Sequence, residues 1–154
     1  MSDLADILKI YETAREFMRE SGNPNQWKDS YPPEELVKKD IQSGHSYVCV
    51  QDEELVGTFY FAIGEDPSYR KLLEGSWLNE EDYAVIHRVA SSGKGKGFAK
   101  TCFDWAGNQY PNLKIDTHED NHVMQHVLEK NGFIKCGITL LPDGSRRLVY
   151  QRRR

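Results

Sequence analysis

The chain has 154 residues, close to the usual size of one domain, and we expect a single domain over residues 1–154. Apolar residues make up 38% and charged residues 29%, and the apolar runs are too short for a membrane span or a secretory leader, which predicts a soluble, cytoplasmic protein without a membrane partner. The net charge of −4 argues against broad nucleic-acid binding, and three widely spaced cysteines exclude a disulfide framework or a CxxC site.

The chain begins with two predicted amphipathic helices that are joined by an aromatic loop. Apolar residues recur at helical spacing over residues 4–18 and again over 36–41, which predicts one helix at each place. The intervening loop, residues 23–33, contains proline and large aromatic side chains. Three of its residues are candidates for the wall of a substrate pocket, with plain packing of the loop as the alternative: Gln26, Trp27 and Tyr31.

A β-rich region follows the second helix. Residues 46–51 and 55–63 read as two strands of a hairpin, and residues 67–74 as a short helix. The nearly continuous apolar run over residues 83–89 is typical of a central strand. These patterns predict a meander that leads into the middle of a sheet.

The second half alternates helices with strands. Its predicted elements are a helix from Phe98, a strand over 113–117, a helix capped by Asp120 or Asn121, strands over 133–140 and 147–151, and a solvated tail over 152–154. The complete order predicts a mixed sheet with helices on its faces.

A glycine-rich turn over residues 91–97 connects the central strand to the next helix. Gly93, Gly95 and Gly97 leave backbone N–H groups unobstructed, and the helix directs its positive end at the same space. Lys94, Lys96 and Lys100 add positive charge, so the turn reads as a cradle for a phosphate-bearing ligand. Neither a dinucleotide-binding fingerprint nor a Walker loop fits the glycine spacing. A flexible surface loop with solvated lysines is the alternative.

Two segments resemble the GNAT superfamily of N-acetyltransferases. Residues 94–99, KGKGFA, are similar to its [Q/R]-x-x-G-x-[G/A] signature, with Lys94 in the first position. Residues 115–121 and 128–133 resemble the strand, asparagine and EKxGF segment that follow. The resemblance implies a mixed, mostly antiparallel central sheet of about six strands flanked by helices, with the family's usual first strand missing here.

The same resemblance implies acetyl-CoA as co-substrate and no metal. Its pyrophosphate would bind the amides of Gly95, Gly97 and Ala99, and its pantetheine would run beside the central strand. The complete set of implied cofactor-binding residues is Val89, Ala90, Lys94, Gly95, Lys96, Gly97, Phe98, Ala99, Lys100 and Asn121. Leu128 stands where many members of the family carry a general-acid tyrosine.

The reaction implied is transfer of the acetyl group to a primary amine of a small molecule or peptide, by direct attack in a ternary complex. An alkyl ammonium with a pKa near ~10 must lose a proton, so a base is needed. Glu80, Glu81 and His87 are the candidates, with solvated turn residues and a core histidine as the alternatives. A strand N–H near Val89 or Ala90 would stabilise the oxyanion.

Two other functions remain as alternatives. One is a non-catalytic regulator that binds acetyl-CoA, which Lys94 and Leu128 motivate. The other is a zinc hydrolase, because residues 118–122 spell HExxH; strand-like residues before His118 and helix-starting residues after it weaken this hypothesis. A more acidic first half suits a cationic amine, and a homodimer through an exposed sheet edge is a candidate assembly.

Overall fold

The computed structural model describes residues 3–28, 30–93 and 97–153. Within these residues, four α-helices flank one seven-stranded sheet. The helices are α1 (Leu4–Glu20), α2 (Glu34–Gln42), α3 (Phe98–Gln109) and α4 (His122–Lys130). The strands are β1 (Ser46–Gln51), β2 (Glu54–Ile63), β3 (Glu74–Gly75), β4 (Ala84–Ser91), β5 (Asn112–Thr117), β6 (Ile134–Leu140) and β7 (Arg146–Arg153).

The strand order is β1-β2-β4-β5-β7-β6-β3, and every neighbouring pair is antiparallel except β4 with β5. The expected mixed, mostly antiparallel sheet with flanking helices is therefore confirmed. Within the described part of the chain, α1 is the first element, so no strand precedes it there. No helix in that part is both long and apolar enough to cross a bilayer.

The sheet has seven strands, where the sequence predicts six, and the additional strand is β3. The region predicted as a short helix over 67–74 forms only a 3₁₀ turn at Pro67–Tyr69, after which β3 pairs with β6. Gly75 has a φ of +83°, and a Cβ there would overlap the Cys136 carbonyl. A strand of two residues is too short to produce a periodic sequence pattern, which is why the pattern did not indicate it.

The two faces of the sheet carry separate apolar clusters. Helices α3 and α4 pack on one face, where Ile86, Phe103 and Leu128 are fully buried. Helices α1 and α2 pack on the other face, around Tyr11 and Val37. The alternation of side chains along each strand distributes the core residues between these two layers.

Two groups of polar residues are buried where the start of β5 pairs with the end of β7. The Gln151 amide donates to Asn112 (2.7 Å) and Asn79 (3.1 Å), while its oxygen accepts from the Leu78 N–H (2.9 Å). Arg152, predicted to lie in a solvated tail, is only 5% exposed and donates to the Phe103 carbonyl at 2.7 Å. That prediction was wrong because β7 extends through residue 153 and carries Arg152 into the layer beneath α3.

Candidate active site

An opening between β4 and β5 forms the candidate site. The two strands pair only at Ala84 with Leu113 and at Val85 with Lys114, and then diverge. Beyond this point β4 stays paired with β2, and β5 stays paired with β7. A cavity of about 540 Å³ occupies the space, within the range of small-ligand pockets.

A β-bulge bends β4 beside this cavity. Tyr60 of β2 lies opposite His87, whereas Thr58 lies opposite Ala90, so β4 carries one extra residue between these pairs. Arg88, within the bulge, has a φ of +52°, a region that costs an ordinary residue about 1 kcal/mol or more. The bulge interrupts the hydrogen-bond ladder between β2 and β4 beside the cavity. No glycine in the sequence of β4 indicates it.

The Arg88 side chain is held by an acidic residue of α2. Its guanidinium donates to both carboxylate oxygens of Asp40, at 2.9 and 3.0 Å, and lies 4.6 Å from the centre of the Tyr60 ring. Burial raises the pKa of Asp40, while the charge of Arg88 acts in the opposite direction. Arg88 also donates to the Tyr31 hydroxyl at 3.3 Å, which draws the aromatic loop toward the strand.

His87 lies on the cavity wall between two carboxylates. Its Nε2 is 2.7 Å from Asp66 Oδ2, and its Nδ1 is 3.8 Å from Asp116 Oδ2. Asp116 also accepts from the Tyr69 hydroxyl at 2.6 Å. Burial acts to raise the pKa of Asp66, but the hydrogen bond and charge of His87 outweigh it and lower that pKa. His87 and Asp116 both line the cavity, so the imidazole is available to a bound molecule.

The other two base candidates lie away from this cavity. Glu80 and Glu81 precede β4, and Glu81 accepts from Arg153 at 2.8 Å near the start of β5. Neither lines the cavity, which borders the later part of β4 from Ile86 onward. The structure therefore brings one of the three sequence candidates, His87, to the opening. Asp116 also lines the cavity and Asp66 contacts His87, and neither was a candidate from the sequence.

The aromatic loop forms one wall of the cavity, where the sequence placed its acceptor candidates Gln26, Trp27 and Tyr31. Trp27 is only 7% exposed, and its ring packs edge-on against Tyr11 at 5.7 Å. Gln26 Oε1 accepts from the Asn121 side chain at 2.9 Å. The loop therefore combines the two roles that were weighed against each other: it packs on α1, and it also faces the cavity.

Asn121 joins this wall to α4. Its side-chain oxygen accepts from the Met124 N–H at 3.0 Å, an N-cap that satisfies one free donor of the helix. Its amide donates to Gln26 and its side chain borders the cavity. Asn121 thus has a structural role in addition to the predicted role in cofactor binding.

Gly97, the last residue of the glycine turn, directly precedes α3. Gly97 is the N-cap of α3, with a φ of +70° and open space where a Cβ would lie. Phe98, at the first helical position, packs so closely on Gly57 of β2 that a Cβ at Gly57 would overlap its ring. This contact, which no sequence pattern indicated, sets the position of the helix end.

The remaining predicted cofactor residues are in different environments. Val89 lines the cavity, Ala90 is buried against α1, and the exposed Lys100 pairs with Asp104. Ala99 is partly buried against the core. The predictions for Lys94, Gly95 and Lys96 lie outside the described residues.

The histidine motif does not form one helix face. α4 begins at His122, so His118 lies in the preceding turn, where its Nδ1 accepts from the Asp120 N–H at 3.0 Å. Burial, and then the charge of Arg147, lower the pKa of His118. Over the described ranges, no three His, Cys, Asp or Glu side chains are grouped as metal ligands.

Tyr83 and Tyr150, two tyrosines of the sheet region that could serve as general acids, do not line the cavity. Tyr150 is 1% exposed, in the core beneath α3 and α4, and the Tyr83 hydroxyl accepts from the Asp66 N–H at 2.9 Å. Burial raises the pKa of both hydroxyls. Leu128, at the position that carries a tyrosine in many relatives, is fully buried in the core.

Several solved structures share the fold of this chain. An acetyltransferase of the GNAT family from Streptococcus agalactiae superposes with a TM-score of 0.89 at 31% identity, over 99% of this chain and 91% of that chain. A GNAT family acetyltransferase from Listeria monocytogenes has a TM-score of 0.71 at 19% identity, over 99% and 90% of the two chains. The aminoglycoside acetyltransferase AAC(6')-Ib, solved with coenzyme A and kanamycin, has a TM-score of 0.62 at 18% identity, over 98% and 91%.

Sequence comparison leads to the same family. A search of curated proteins gave no match. The acetyltransferase (GNAT) family, however, matches residues 6–133, which is most of the chain and includes both helices of the first half and the glycine turn. The chain belongs to the GNAT family of acetyltransferases.

Proposed function

We propose that this protein transfers the acetyl group of acetyl-CoA to a primary amine. The observation that carries the proposal is the opening between β4 and β5, with His87 on its wall. Gly97 and the N-terminus of α3 follow β4 in the chain. The cradle fits the pyrophosphate because the space around Gly97 is open and the helix end is positive. Acetyl-CoA supplies an acetyl thioester, and the products are an acetylated amine and the CoA thiol.

His87 is the proposed proton acceptor. The lowered pKa of Asp66 keeps its carboxylate ionised at neutral pH, so we assign the proton of the neutral imidazole to Nε2, which donates a hydrogen bond to Asp66. The free lone pair of His87 is then on Nδ1. The 3.8 Å between Nδ1 and Asp116 is too long for a hydrogen bond, so both atoms are available to an ammonium group. Asp116 would attract the ammonium, and His87 would remove its proton before attack.

The strand itself has the second role. The bulge at Arg88 interrupts the ladder with β2, so the N–H groups near Val89 are the proposed donors to the oxyanion. Because the Asp40 carboxylate and the Tyr60 ring hold the Arg88 side chain, this backbone is positioned before any substrate binds. Such preorganisation is the main means by which enzymes stabilise developing charge.

Calorimetric titration of acetyl-CoA tests the cofactor site. The wild type is expected to bind with a micromolar Kd, and Gly97→Trp, which fills the open space, is expected to abolish binding while the protein stays folded. Gly97→Ala is the matched control, because it introduces the same strain at positive φ without the bulk and should weaken binding by about tenfold or less.

Release of CoA in the presence of amines then tests catalysis. No binding of acetyl-CoA by the folded wild type would overturn the proposal. Binding without CoA release for any amine in a broad panel would instead identify a non-catalytic acetyl-CoA-binding regulator.

A further inference from the structure

Arg88 and Arg147 border the cavity, and among the described residues only Arg88 forms an ion pair with a carboxylate. Arg88 forms two hydrogen bonds with Asp40, as described above. Arg147, the second residue of β7, is 8% exposed and donates only to backbone carbonyls, those of Arg146 (2.9 Å) and Gln26 (3.2 Å). No acidic side chain of the described residues forms an ion pair with it. A buried guanidinium without an anion is unusual in proteins.

The charged neighbours of Arg147 do not provide that anion. Asp143 lies in the turn between β6 and β7, where its Oδ1 accepts from the Ser145 N–H at 2.9 Å. Hydrogen bonds from Ser145, and to a smaller extent the charge of Arg147, lower the pKa of Asp143, but Asp143 and Arg147 do not form an ion pair. His118 is not an anion: burial and the charge of Arg147 lower its pKa, and its Nδ1 accepts from the Asp120 N–H. Arg147 therefore borders the cavity without an ion-pair partner among the described residues.

Arg147 lies on the same face of the sheet as the proposed proton acceptor. Val149 of β7 is directly opposite Asp116 of β5, so Arg147, two residues before Val149, is diagonal to Asp116 on that face. Diagonal neighbours across an antiparallel pair are about 7–8 Å apart. One small molecule can therefore contact both side chains.

We propose that the amine acceptor carries a carboxylate, and that it is a small amino acid bound between Arg147 and the pair formed by Asp116 and His87. The inference rests on the proposed acetyl transfer and adds the class of acceptor. The carboxylate accepts from the guanidinium, and the ammonium lies at Asp116 within reach of His87 Nδ1. One proton of the ammonium moves to His87, and the neutral nitrogen forms a bond to the acetyl carbon. The carbon–sulfur bond of the thioester then breaks with its electron pair on sulfur, a second proton from the nitrogen ends on that sulfur to give the CoA thiol, and His87 returns its proton to solvent.

Matched acceptors test this assignment. The probes are the common L-amino acids with β-alanine and γ-aminobutyrate, each compared with its primary amide and its decarboxylated amine. Affinity is measured by calorimetry with the protein saturated with CoA, and kcat and KM are measured from CoA release with acetyl-CoA. At least one amino acid is expected to exceed its amide in kcat/KM by about 10- to 100-fold, the effect of one charge-assisted contact.

Variants of Arg147 locate the effect. Arg147→Gln should raise the KM for the amino acid by about 10- to 100-fold, with little change in kcat and no change in the KM for the amide. Arg147→Lys should retain part of the preference, because it keeps the charge but loses the planar fork. Arg146→Gln is the matched control, since its exposed side chain lies on the opposite face and should leave both acceptors unaffected.

The outcomes separate this inference from the proposed function. Acetylation of amines with no advantage for any carboxylate-bearing acceptor, or an advantage that Arg147→Gln preserves, would overturn the inference and leave acetyl transfer intact. Amino acids that bind the CoA complex through Arg147 but are never acetylated would overturn their assignment as acceptors, and release of CoA with other amines would then decide whether acetyl transfer stands. Absence of both binding and turnover for every carboxylate-bearing acceptor would overturn the inference.

Discussion

The two halves of β4 are built differently. The paired half, Ala84 and Val85, has β2 on one side and β5 on the other, and the polar side chains beneath it satisfy one another. The open half, Ile86–Ser91, keeps only β2 as a partner and contains the bulge. The first residues of β4 therefore stabilise the sheet through pairing on both sides, whereas its later residues border the cavity.

This contrast explains why neighbouring polar residues have different roles. Gln151 and Asn112, near the paired half, are buried and hydrogen-bonded to each other, so they stabilise the sheet. His87 and Arg147, near the open half, keep hydrogen-bonding capacity that faces the cavity. Substitution of the polar groups that face the cavity in the open half should change activity more than stability, and substitution of the buried amides near the paired half should do the opposite.

The largest effect is expected at His87. His87→Gln should lower kcat/KM by roughly 10²- to 10⁴-fold, because the proton acceptor is lost, while the Kd for acetyl-CoA stays unchanged. CoA release and calorimetry measure the two quantities. Glu80→Gln and Glu81→Gln are the controls and should stay within about threefold of wild type, since neither lines the cavity. Wild-type kcat/KM for His87→Gln across the pH range would contradict the assignment.

The ion pair that anchors the bulge should dominate the stability of the open half. Asp40→Ala should lower the free energy of unfolding by about 3–5 kcal/mol, because it leaves the Arg88 guanidinium buried without its partner. Urea unfolding measures the change. The exposed neighbour Lys39 provides the control, since Lys39→Ala should cost about 0.5 kcal/mol or less. Equal stabilities for the two variants would show that the pair does not hold the bulge.

At the paired half, removal of a buried amide should affect stability alone. Gln151→Leu leaves the Leu78 N–H and the Asn112 oxygen without this partner, and it should lower the free energy of unfolding by about 1–3 kcal/mol. The KM values for both substrates should not change. A clear rise in either KM would mean that the paired half also shapes the cavity and would weaken the comparison.

The smallest effect concerns a buried lysine of β5, and its sign depends on pH. Burial lowers the pKa of Lys114 to about 8, while the Tyr83 and Trp77 rings lie 3.8 and 4.0 Å from its ammonium group. Lys114→Met should therefore raise stability at pH 7 by about 1 kcal/mol, because folding no longer buries a charge whose cost the two rings offset only in part.

The pH profile of that variant provides the check. Between pH about 8 and the ordinary lysine pKa of 10.5, the unfolded chain binds more protons at Lys114 than the folded chain does. The stability of the wild type relative to Lys114→Met should therefore rise with pH in this window and be lowest below it. Thermal unfolding at several pH values measures the difference, and a gap that does not depend on pH would mean that Lys114 stays charged in the folded protein.

Much of this architecture could be predicted from local patterns. The helix of residues 4–20, the hairpin of β1 and β2 and the glycine turn before α3 each have a signal within a few residues of sequence. β3 had none, because two residues carry no periodicity. The burial of Arg152 was also missed, because charge at a chain end normally favours solvent, and only the pairing of β7 with β5 and β6 placed it inside.

The candidate site was predictable only in part. Glycine spacing indicated the cradle, and the apolar run around His87 indicated a central strand. Asp66 and Arg147 were missed because each is distant in sequence from His87 and belongs to no motif. Asp116 lies in the segment 115–121 that resembles the family, but nothing in that segment indicated a contact with His87. Their grouping depends on which strands are neighbours and in what register, and a single sequence contains no local signal for either.

By itself, the sequence determined the order of the elements, the two-layered distribution of apolar residues and the resemblance of the glycine turn to a phosphate cradle, because periodicity and turn chemistry act over short stretches of chain. Only the tertiary structure decided where β4 and β5 separate, that Arg88 takes a left-handed conformation, and that Arg147 is buried without a carboxylate partner among the described residues. These features follow from strand pairing and burial, in which residues far apart along the chain determine one another's partners.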